Sequence, residues 1–385
     1  MMYWHIPGFL LLASYAALMV YYRRGWNQLP RMTVPDSFRP TVKISVIVPA
    51  RNEARNIPPL LQHLLAQDYP AHLLEIIVAD DHSTDNTYEL AAATGDARVK
   101  VIRMQDYPSQ GSAYKKQAIA QAIRQSTGSL ILTTDADCTM PAGWVRSFAW
   151  AHETQHLQCI AGPVTYTGIR NTAGVFQAID FITMQGITGA SLQTDFNYMC
   201  NGANFAYSRH AFDQVEGFKG IDDIATGDDM LLLYKIAQAF PGQIGYLRQQ
   251  EAIVQTEPMP GWRSFLNQRI RWASKAGRFQ DKRITAVLLL VYALNVFLVA
   301  MGITALFTPS LLPIWAGFVL LKTAVELLLL VPVARFFGQT SLLQWFLPLQ
   351  PLHMLYIVLA GFLGNFKQYE WKGRKVQDGK IANQP

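Results

Sequence analysis

The sequence predicts an α/β fold with a mostly parallel central sheet, flanked by N-terminal and C-terminal transmembrane helices. Between residues 43 and 135, short β-branched and apolar runs alternate with stretches of helical periodicity, which is the pattern of parallel βαβ units. Long apolar stretches lie at both ends of the 385-residue chain, in which 50% of the residues are hydrophobic and 16% are charged. A purely soluble protein of this size is less apolar, so membrane segments are expected.

The region from residue 43 to 134 alternates between predicted strands and predicted helices. The strands are 43–48, 75–79, 99–103 and 129–134, and the helices are 56–67, 84–93 and 112–124. Leucines at helical spacing indicate the first helix, and a capping residue, Ser83 or Thr84, indicates the start of the second. This alternation favours helices on both faces of the sheet.

Polar and acidic residues follow three of these strands, at positions 51–53, 80–81 and 135–137. We expect them along one edge of the sheet, the edge where open α/β folds bind ligands. Asp135 and Asp137, one residue apart, suit a hard divalent cation that shares its oxygen ligands with substrate phosphates. A polar turn at the end of the strand is the alternative, because aspartate is common in turns.

Several classes of protein do not fit the sequence. It has neither the glycine pattern of a dinucleotide site nor that of a P-loop. The net charge of +6 suits loops facing anionic lipid and an anionic ligand better than a nucleic-acid surface. The cysteines, Cys138, Cys159 and Cys200, have no metal-binding spacing and are expected to be free thiols in a reducing compartment.

Residues 140 to 260 show less regular periodicity, but they contain a second acidic pair. Asp228 and Asp229 come directly before an apolar-rich helix at 230–239, where the helix dipole favours ionised carboxylates. Capping would account for Asp228. Two successive acids exceed what a cap requires, so a function is favoured for Asp229.

An amphipathic helix is predicted at residues 261–282, where basic residues mix with aromatic and aliphatic ones. Its basic residues are Arg263, Arg269, Arg271, Lys275 and Arg278. Such a helix typically lies at a membrane interface.

Four apolar stretches are candidates for membrane spans, at 7–22, 284–307, 311–333 and 342–366. Arginines follow the first stretch and no lysine or arginine precedes it, so residue 23 onward is expected in the cytoplasm. Four crossings would leave the basic tail at 367–385 outside, against the same rule. Pro348 and Pro351 interrupt the last stretch, so an interfacial helix or a re-entrant pair is the alternative. Lys322 and Glu326 are either a pair that holds helices together or a functional pair.

Five motifs in this order resemble those of membrane-integrated family 2 glycosyltransferases, the group of hyaluronan, chitin and cellulose synthases and ceramide glucosyltransferase. They are residues 44–53; residues 80–85, with His82 in place of a glycine; Asp135-Ala136-Asp137; Gly227-Asp228-Asp229, where the family has Thr-Glu-Asp; and Gln268, Arg271 and Trp272, which match Gln-x-x-Arg-Trp. The resemblance covers residues 40 to 280. It implies a GT-A, Rossmann-like domain at 40–260 between an anchor at 1–24 and transmembrane segments at 284–366.

The resemblance also implies a role for each motif. The donor nucleotide sugar would contact Pro49, Arg51, Glu53, Asp81, Lys115, Asp135, Gly202 and Asn204. Lys115 resembles a lysine of a Gly-Lys-Ala motif in which Tyr114 replaces the glycine. Asp137 and Asp135 would hold Mg²⁺ or Mn²⁺, Asp229 would be the general base, and Gln268, Arg271 and Trp272 would close over the diphosphate.

The implied function is inverting transfer of a sugar from a nucleoside diphosphate, with UDP favoured, to a hydroxyl of a lipid or glycan. The enzyme is expected in the cell's inner (plasma) membrane as a multi-pass protein with a cytoplasmic catalytic domain. Three C-terminal segments are few for a polymer channel, which favours a lipid acceptor. A processive polysaccharide synthase completed by a second copy or a channel partner is one alternative, and a non-catalytic nucleotide-sugar-binding scaffold is another. No nucleic-acid partner is expected.

Overall fold

The computed structural model describes residues 5–108, 113–196, 198–224, 227–273, 281–364, 368–371, 374–377 and 380–381. The chain divides into two compact units, each assembled from three segments. Unit 1 comprises Met1–Gln28, Gly168–Asn197 and Pro258–Tyr369, and unit 2 comprises Leu29–Thr167, Tyr198–Glu257 and Glu370–Pro385.

The strands, in chain order, are β1 (Ile44–Ala50), β2 (Leu74–Asp80), β3 (Val99–Arg103), β4 (Leu130–Thr133), β5 (Cys159–Ala161), β6 (Val164–Tyr166), β7 (Phe205–Ser208), β8 (Ile244–Tyr246), β9 (Val254–Thr256), β10 (Gln368–Trp371), β11 (Arg374–Gln377) and β12 (Lys380–Ile381). The helices are α1 (His5–Gln28), α2 (Ile57–Leu65), α3 (Thr87–Ala92), α4 (Tyr114–Gln125), α5 (Trp144–Gln155), α6 (Thr172–Gln193), α7 (Arg209–Gln214), α8 (Met230–Ala239), α9 (Trp262–Ala273), α10 (Lys282–Phe307), α11 (Leu312–Phe336) and α12 (Gln350–Gly364).

Unit 2 is built on a sheet with the strand order β3-β2-β1-β4-β7-β5-β8. β1 runs parallel to β2 and β4, and β2 runs parallel to β3, whereas β7 is antiparallel to both of its neighbours. This arrangement confirms the predicted mostly parallel sheet. The chain order reverses between β1 and β4, so a crevice is expected outside the carboxyl ends of these two strands.

The predicted helices of unit 2 are present, with one corrected start. α2 buries Ile57, Leu60, Leu61 and Leu64, the face that the leucine spacing indicated. α3 begins only at Thr87, and its N-cap makes no side-chain hydrogen bond. The predicted cap at Ser83 or Thr84 is therefore wrong, because these two residues bond to the loop after β1 instead.

The region at 140–260, whose sequence shows less regular periodicity, contains more regular structure than the helix predicted at 230–239. It contains α5, α6 and several short strands of the central sheet. Strands of three or four residues are too short to show an alternating pattern. α6 in unit 1 is buried around most of its surface, so its apolar residues form no single stripe.

Unit 1 contains three helices long and apolar enough to cross a membrane, within the described residues. They lie at Ile6–Gln28, Lys282–Phe307 and Pro309–Phe336. The fourth predicted span is instead a 3₁₀ turn at Thr340–Trp345 followed by α12, which has only 15 residues. A span needs about 20 residues, so this short helix favours the interfacial or re-entrant alternative over a fourth simple span, and the number of crossings stays a prediction.

A buried polar network joins three helices of unit 1. Lys322 Nζ lies 2.6 Å from Glu326 Oε1, as the spacing of four residues predicted. Lys322 also donates to Gln350 Oε1 at 2.9 Å, and Gln350 donates back to Glu326 Oε2 at 2.6 Å. The Tyr15 hydroxyl donates to Glu326 Oε1 at 2.7 Å. The two buried charges are thus paired with each other and hydrogen-bonded to side chains of α1 and α12, as buried charges require.

Candidate active site

The loops after β1 and β2 are bonded to each other through Arg51 and Asn52. The Arg51 guanidinium donates to the carbonyl oxygens of Asp81 and His82, both at 2.8 Å. Asn52 Oδ1 accepts from the backbone N–H of Thr84 at 2.8 Å. Arg51 therefore holds the predicted nucleotide-binding loop in shape through its backbone.

Two residues of these loops adopt left-handed backbone conformations. Asn52 has φ 53° and His82 has φ 56°. Asparagine tolerates this region better than most residues, and glycine adopts it freely. The glycine of the family motif is therefore explained by the backbone, and His82 occupies the same conformation with a side chain. Its ring lies edge-on to the ring of Tyr114 at 5.7 Å between centroids.

The acidic pair after β2 is buried. Asp80 and Asp81 are 2% and 3% exposed. Burial raises the pKa of Asp80 above its ordinary value, although hydrogen bonds from Ser83 to its carboxylate lower the pKa in part. His82 Nδ1 lies 3.0 Å from Asp81 Oδ1. Of the other residues predicted to contact the nucleotide, Pro49 is half-buried near the end of β1, and Glu53 accepts from Asn56 Nδ2 at 2.6 Å.

Lys115 connects the two acidic motifs. Its Nζ lies 2.9 Å from Asp135 Oδ1 and 3.2 Å from Asp228 Oδ2. Burial alone would lower the pKa of Lys115, but the carboxylates of Asp135 and Asp228 outweigh it and raise the pKa above its ordinary value. Lys115 thus carries a fixed positive charge beside the Asp-x-Asp pair. It begins the first turn of α4, whose buried face packs Ile119 and Ile123.

Asp229, rather than Asp228, is the cap of α8. Its Oδ1 accepts from the Met230 backbone N–H at 2.7 Å, and its Oδ2 accepts from the Gly202 backbone N–H at 3.0 Å. The expectation that capping accounts for Asp228 is corrected, because Asp228 pairs with Lys115. Capping and a catalytic role are compatible for Asp229, since a carboxylate oxygen can accept more than one hydrogen bond.

A pocket lies against these acids. Its walls include Thr133, Gly202, Tyr207, Asp228 and Asp229. Thr133 Oγ1 lies 3.0 Å from the Gly202 carbonyl oxygen, which ties the loop of Gly202 to the end of β4. A Cβ on Gly202 would stand 3.3 Å from Asp228 Oδ2, so glycine lets the backbone pass close to both acids.

Asn204 is not among the residues that line this pocket. The residue is fully buried, and its Nδ2 donates to the carbonyl oxygens of Pro163 and Ala252, both at 2.8 Å. Its Oδ1 accepts from Trp144 Nε1 at 2.9 Å. The amide is therefore satisfied within the scaffold. The expectation that Asn204 approaches the donor sugar stays a prediction.

Asp137 and Asp135 fit a divalent cation by the chemistry of their donors. Asp137 is exposed, and only one of the Asp135 oxygens is the partner of Lys115. Magnesium commonly binds one or two carboxylates together with substrate phosphates and water. No group of three or more His, Cys, Asp or Glu side chains that could hold a metal occurs in the described part of the chain. Phosphate oxygens and water would therefore supply the remaining ligands.

The third predicted group, Gln268, Arg271 and Trp272, lies on α9 in unit 1. Gln268 Oε1 is buried without a hydrogen-bond partner among the described residues. Arg271 and Trp272 are half-buried. Lys275 and Arg278 of the predicted interface helix lie outside the described residues.

Two kinds of residue were not found from the sequence. Lys116 is buried and donates to the carbonyl oxygens of Ile221 and Ile224, at 2.6 and 2.9 Å, which anchors the segment before Asp228. Gln177 and Asp180, on α6, bond to the segment that contains α9. The sequence signal that could have identified Gln177 and Asp180 is the presence of polar residues in the otherwise apolar α6.

Part of the chain is similar in sequence to a known protein family. Residues 45–216 match the sequence model of a family described as glycosyl transferase family 2. This range contains every predicted donor and metal residue, whereas Asp229 and the α9 residues lie beyond it.

Two curated relatives and one solved structure are similar to the chain. An N-acetylglucosaminyltransferase of Mesorhizobium japonicum is 26% identical over 302 residues, which cover 75% of this chain and 68% of the relative. An undecaprenyl-phosphate 4-deoxy-4-formamido-L-arabinose transferase of Yersinia pestis is 35% identical over 109 residues, 26% of this chain and 31% of the relative. A mannosyltransferase of Pyrobaculum calidifontis, solved with GDP-Man and Mn²⁺, superposes with a TM-score of 0.58 at 21% identity. The superposition covers 93% of this chain and 97% of that one and shows a shared fold.

Proposed function

We propose that this chain, of which residues 45–216 match the model of glycosyl transferase family 2, is an inverting transferase acting on a nucleoside-diphosphate sugar and a membrane-lipid hydroxyl. One observation carries the proposal. Lys115 bridges Asp135 and Asp228, and Asp229 stands next in the chain with its carboxylate at the wall of the pocket. The proposed cation ligand Asp135, the ammonium of Lys115 and the proposed base Asp229 are thus neighbours in unit 2.

The proposed reaction is a single displacement at the anomeric carbon. The acceptor oxygen forms a bond to that carbon while the bond to the diphosphate oxygen breaks, and the electron pair leaves with the diphosphate. Asp229 takes the proton of the acceptor hydroxyl as charge develops on its oxygen. One displacement inverts the anomeric centre, so an α-linked donor gives a β-linked product.

The departing diphosphate requires positive charge. Asp137 and Asp135 would hold Mg²⁺ or Mn²⁺, and such an ion, when bound, stabilises the negative charge of a diphosphate. Lys115 neutralises the acids beside the site, so that an anionic donor is not repelled. Gln268, Arg271 and Trp272 are proposed to bind the diphosphate on the strength of their motif.

The proposed acceptor is a lipid, and the proposed location is the cytoplasmic side of the inner (plasma) membrane. Three apolar helices support membrane association. The relative from Yersinia pestis, an undecaprenyl-phosphate 4-deoxy-4-formamido-L-arabinose transferase, supports lipid-linked chemistry. Three candidate spans are few for a channel that would export a polymer, which disfavours a polysaccharide synthase.

The test is a donor screen with the full chain purified in detergent, lipid extract and Mn²⁺. Radiolabelled nucleotide sugars, UDP-sugars first, are assayed for release of nucleoside diphosphate, and products are partitioned between solvent and water. We expect label in the organic phase and loss of release when the metal is chelated. Label in long water-soluble chains would indicate a polymer synthase. Absence of release with every donor would contradict transferase activity and favour a binding scaffold.

A further inference from the structure

We propose that Gln177 and Asp180 on α6 are positioning residues that hold α9 and thereby orient Trp272 and its neighbours Gln268 and Arg271. The proposal rests on the proposed function, because it assigns these two residues to the motif that would bind the diphosphate. All of the contacts that support it lie within unit 1.

Gln177 fixes the chain just before α9 begins. Its side chain is fully buried, and its amide makes two bonds to one residue of the entering segment. Nε2 donates to the Met259 carbonyl oxygen at 2.9 Å, and Oε1 accepts from the Met259 N–H at 2.9 Å. A glutamine that satisfies both backbone groups of one residue acts like a short strand pairing. It sets the position of the chain three residues ahead of Trp262.

Asp180 fixes α9 itself, one helical turn further along α6. Its Oδ2 lies 2.7 Å from Arg269 Nη2, and the two side chains are 8% and 2% exposed. Burial would raise the pKa of Asp180, but Arg269 and His353 outweigh it and hold the pKa below its ordinary value. The carboxylate is therefore ionised at neutral pH. Residues three apart share a helix face, so Gln177 and Asp180 present a single clamp to the α9 segment.

The clamp reaches the motif through Arg269. The guanidinium carbon of Arg269 lies 4.1 Å from the centroid of the Trp272 ring and 4.9 Å from that of Phe265. Phe181, the residue after Asp180, also contacts the Trp272 ring, with centroids 6.4 Å apart. Arg269 is thus held by a carboxylate from α6 and stacks on Trp272, one of the predicted site residues.

Simple packing would not require this arrangement. A buried ion pair is often no more stabilising than well-packed apolar residues of similar volume, because both charges must be desolvated. It does fix the direction of both side chains. Loss of the pair should therefore affect orientation at Trp272 more than it affects the stability of the fold.

The experiment compares three variants of the full chain in detergent. Asp180→Leu combined with Arg269→Met removes the pair and keeps the site apolar. Asp180→Glu keeps the charge but lengthens the side chain by one methylene. Lys322→Met combined with Glu326→Gln is the matched control, since it removes another buried ion pair of unit 1, one that lies within α11. Each is measured for thermal midpoint, kcat and KM for the donor, and amide hydrogen exchange over residues 262–273.

We expect the Asp180/Arg269 double variant and Asp180→Glu to lose at least tenfold in kcat, with thermal midpoints near that of the original protein and faster exchange in α9. The control should retain kcat and slow exchange in α9. Near-original kcat in a folded Asp180→Glu and in the double variant would overturn the proposal. If the double variant does not fold, Asp180→Glu alone decides. Hydrogen exchange tests the clamp separately from the proposed transferase function. Faster exchange of α9 in the variants would support the clamp even if the protein turned over no donor.

Discussion

Asp229 performs two tasks with one carboxylate. It accepts hydrogen bonds from the N–H groups of Met230 and Gly202, and it forms part of the pocket wall. The first contact orders the start of α8, and the second places Asp229 where the proposed base would be needed. Lys115 likewise has two partners, because its ammonium forms ion pairs with both Asp135 and Asp228. Substituting asparagine for Asp229 or methionine for Lys115 therefore tests whether each residue serves the fold or the reaction.

Asp229→Asn is expected to lower kcat by about 10²- to 10⁴-fold, the range that general base catalysis contributes. Asparagine caps helices as well as aspartate, so α8 should remain formed and donor affinity should change little. The measurement is single-turnover transfer alongside the dissociation constant for the donor. Asp281→Asn is the control, since Asp281 is the N-cap of α10, where its side chain accepts from the Arg283 N–H, and this variant should retain activity. Near-full turnover of Asp229→Asn would mean that another group takes the proton.

The adjacent lysines should give opposite results. Lys115→Met removes the cation between two carboxylates and is expected to weaken donor binding about tenfold through repulsion of the diphosphate. Lys116→Met removes two charge-assisted bonds to the carbonyl oxygens of Ile221 and Ile224 and should lower the thermal midpoint by several degrees. Calorimetric titration with nucleoside diphosphate and thermal unfolding distinguish the two effects. A large loss of stability in Lys115→Met with unchanged affinity would contradict its assignment to the site.

At the scale of elements, the sequence predicted the helices and strands that have a local apolar pattern and missed the features that depend on contacts between distant residues. β1 to β4, α2 and α8 were found because their apolar pattern is local and their strand ends are polar. The three-residue strands β5 and β8 have no readable period, and α6 is buried on most sides, so neither was predicted. Lys116 and Asp180 act through partners far along the chain, at Ile224 and Arg269, which no spacing rule links.

Glu75 on β2 shows how an element of the sheet depends on pH. It accepts hydrogen bonds from Ser45 Oγ at 2.5 Å, Thr127 Oγ1 at 3.0 Å and the Gly128 N–H at 2.9 Å. Burial would raise its pKa, but these bonds outweigh it and hold the pKa below the ordinary value. The ionised form is thus favoured in the folded state. Its stabilisation is present above the unfolded pKa, about 4.3, and is lost as the pH falls through the lower folded value.

Glu75→Gln should therefore lower the thermal midpoint at pH 7 by about 2 to 6 °C, since the bonds to a charged acceptor are lost. The difference from the original protein should shrink as the pH falls below about 4.3. Thermal unfolding in detergent across this pH range provides the measurement. A difference that stays constant with pH would show that the charge of Glu75 is not what stabilises the join between β1, β2 and the segment before β4.

At the scale of the whole molecule, three crossings instead of four would change the expected membrane topology. Four crossings placed the basic tail opposite the catalytic domain, in conflict with the positive-inside rule. With three crossings the conflict disappears. Arg23 and Arg24 follow the core of α1, Lys282 and Arg283 begin α10, and Arg335 lies in the last turn of α11, whereas residues 308–311 between α10 and α11 carry no charge.

We therefore predict that the N-terminus and residues 308–311 are outside, and that the tail lies in the cytoplasm with the catalytic domain. Single cysteines at Ser310 and Gln339, with the native cysteines replaced by serine, should react differently with a membrane-impermeant maleimide. Ser310→Cys should label in intact cells, and Gln339→Cys only after permeabilisation. Green fluorescent protein fused after Pro385 should fluoresce, because it folds in the cytoplasm, whereas alkaline phosphatase at the same site should be inactive. Active phosphatase there would instead mean that the stretch containing α12 crosses the membrane, despite the 15-residue length of that helix.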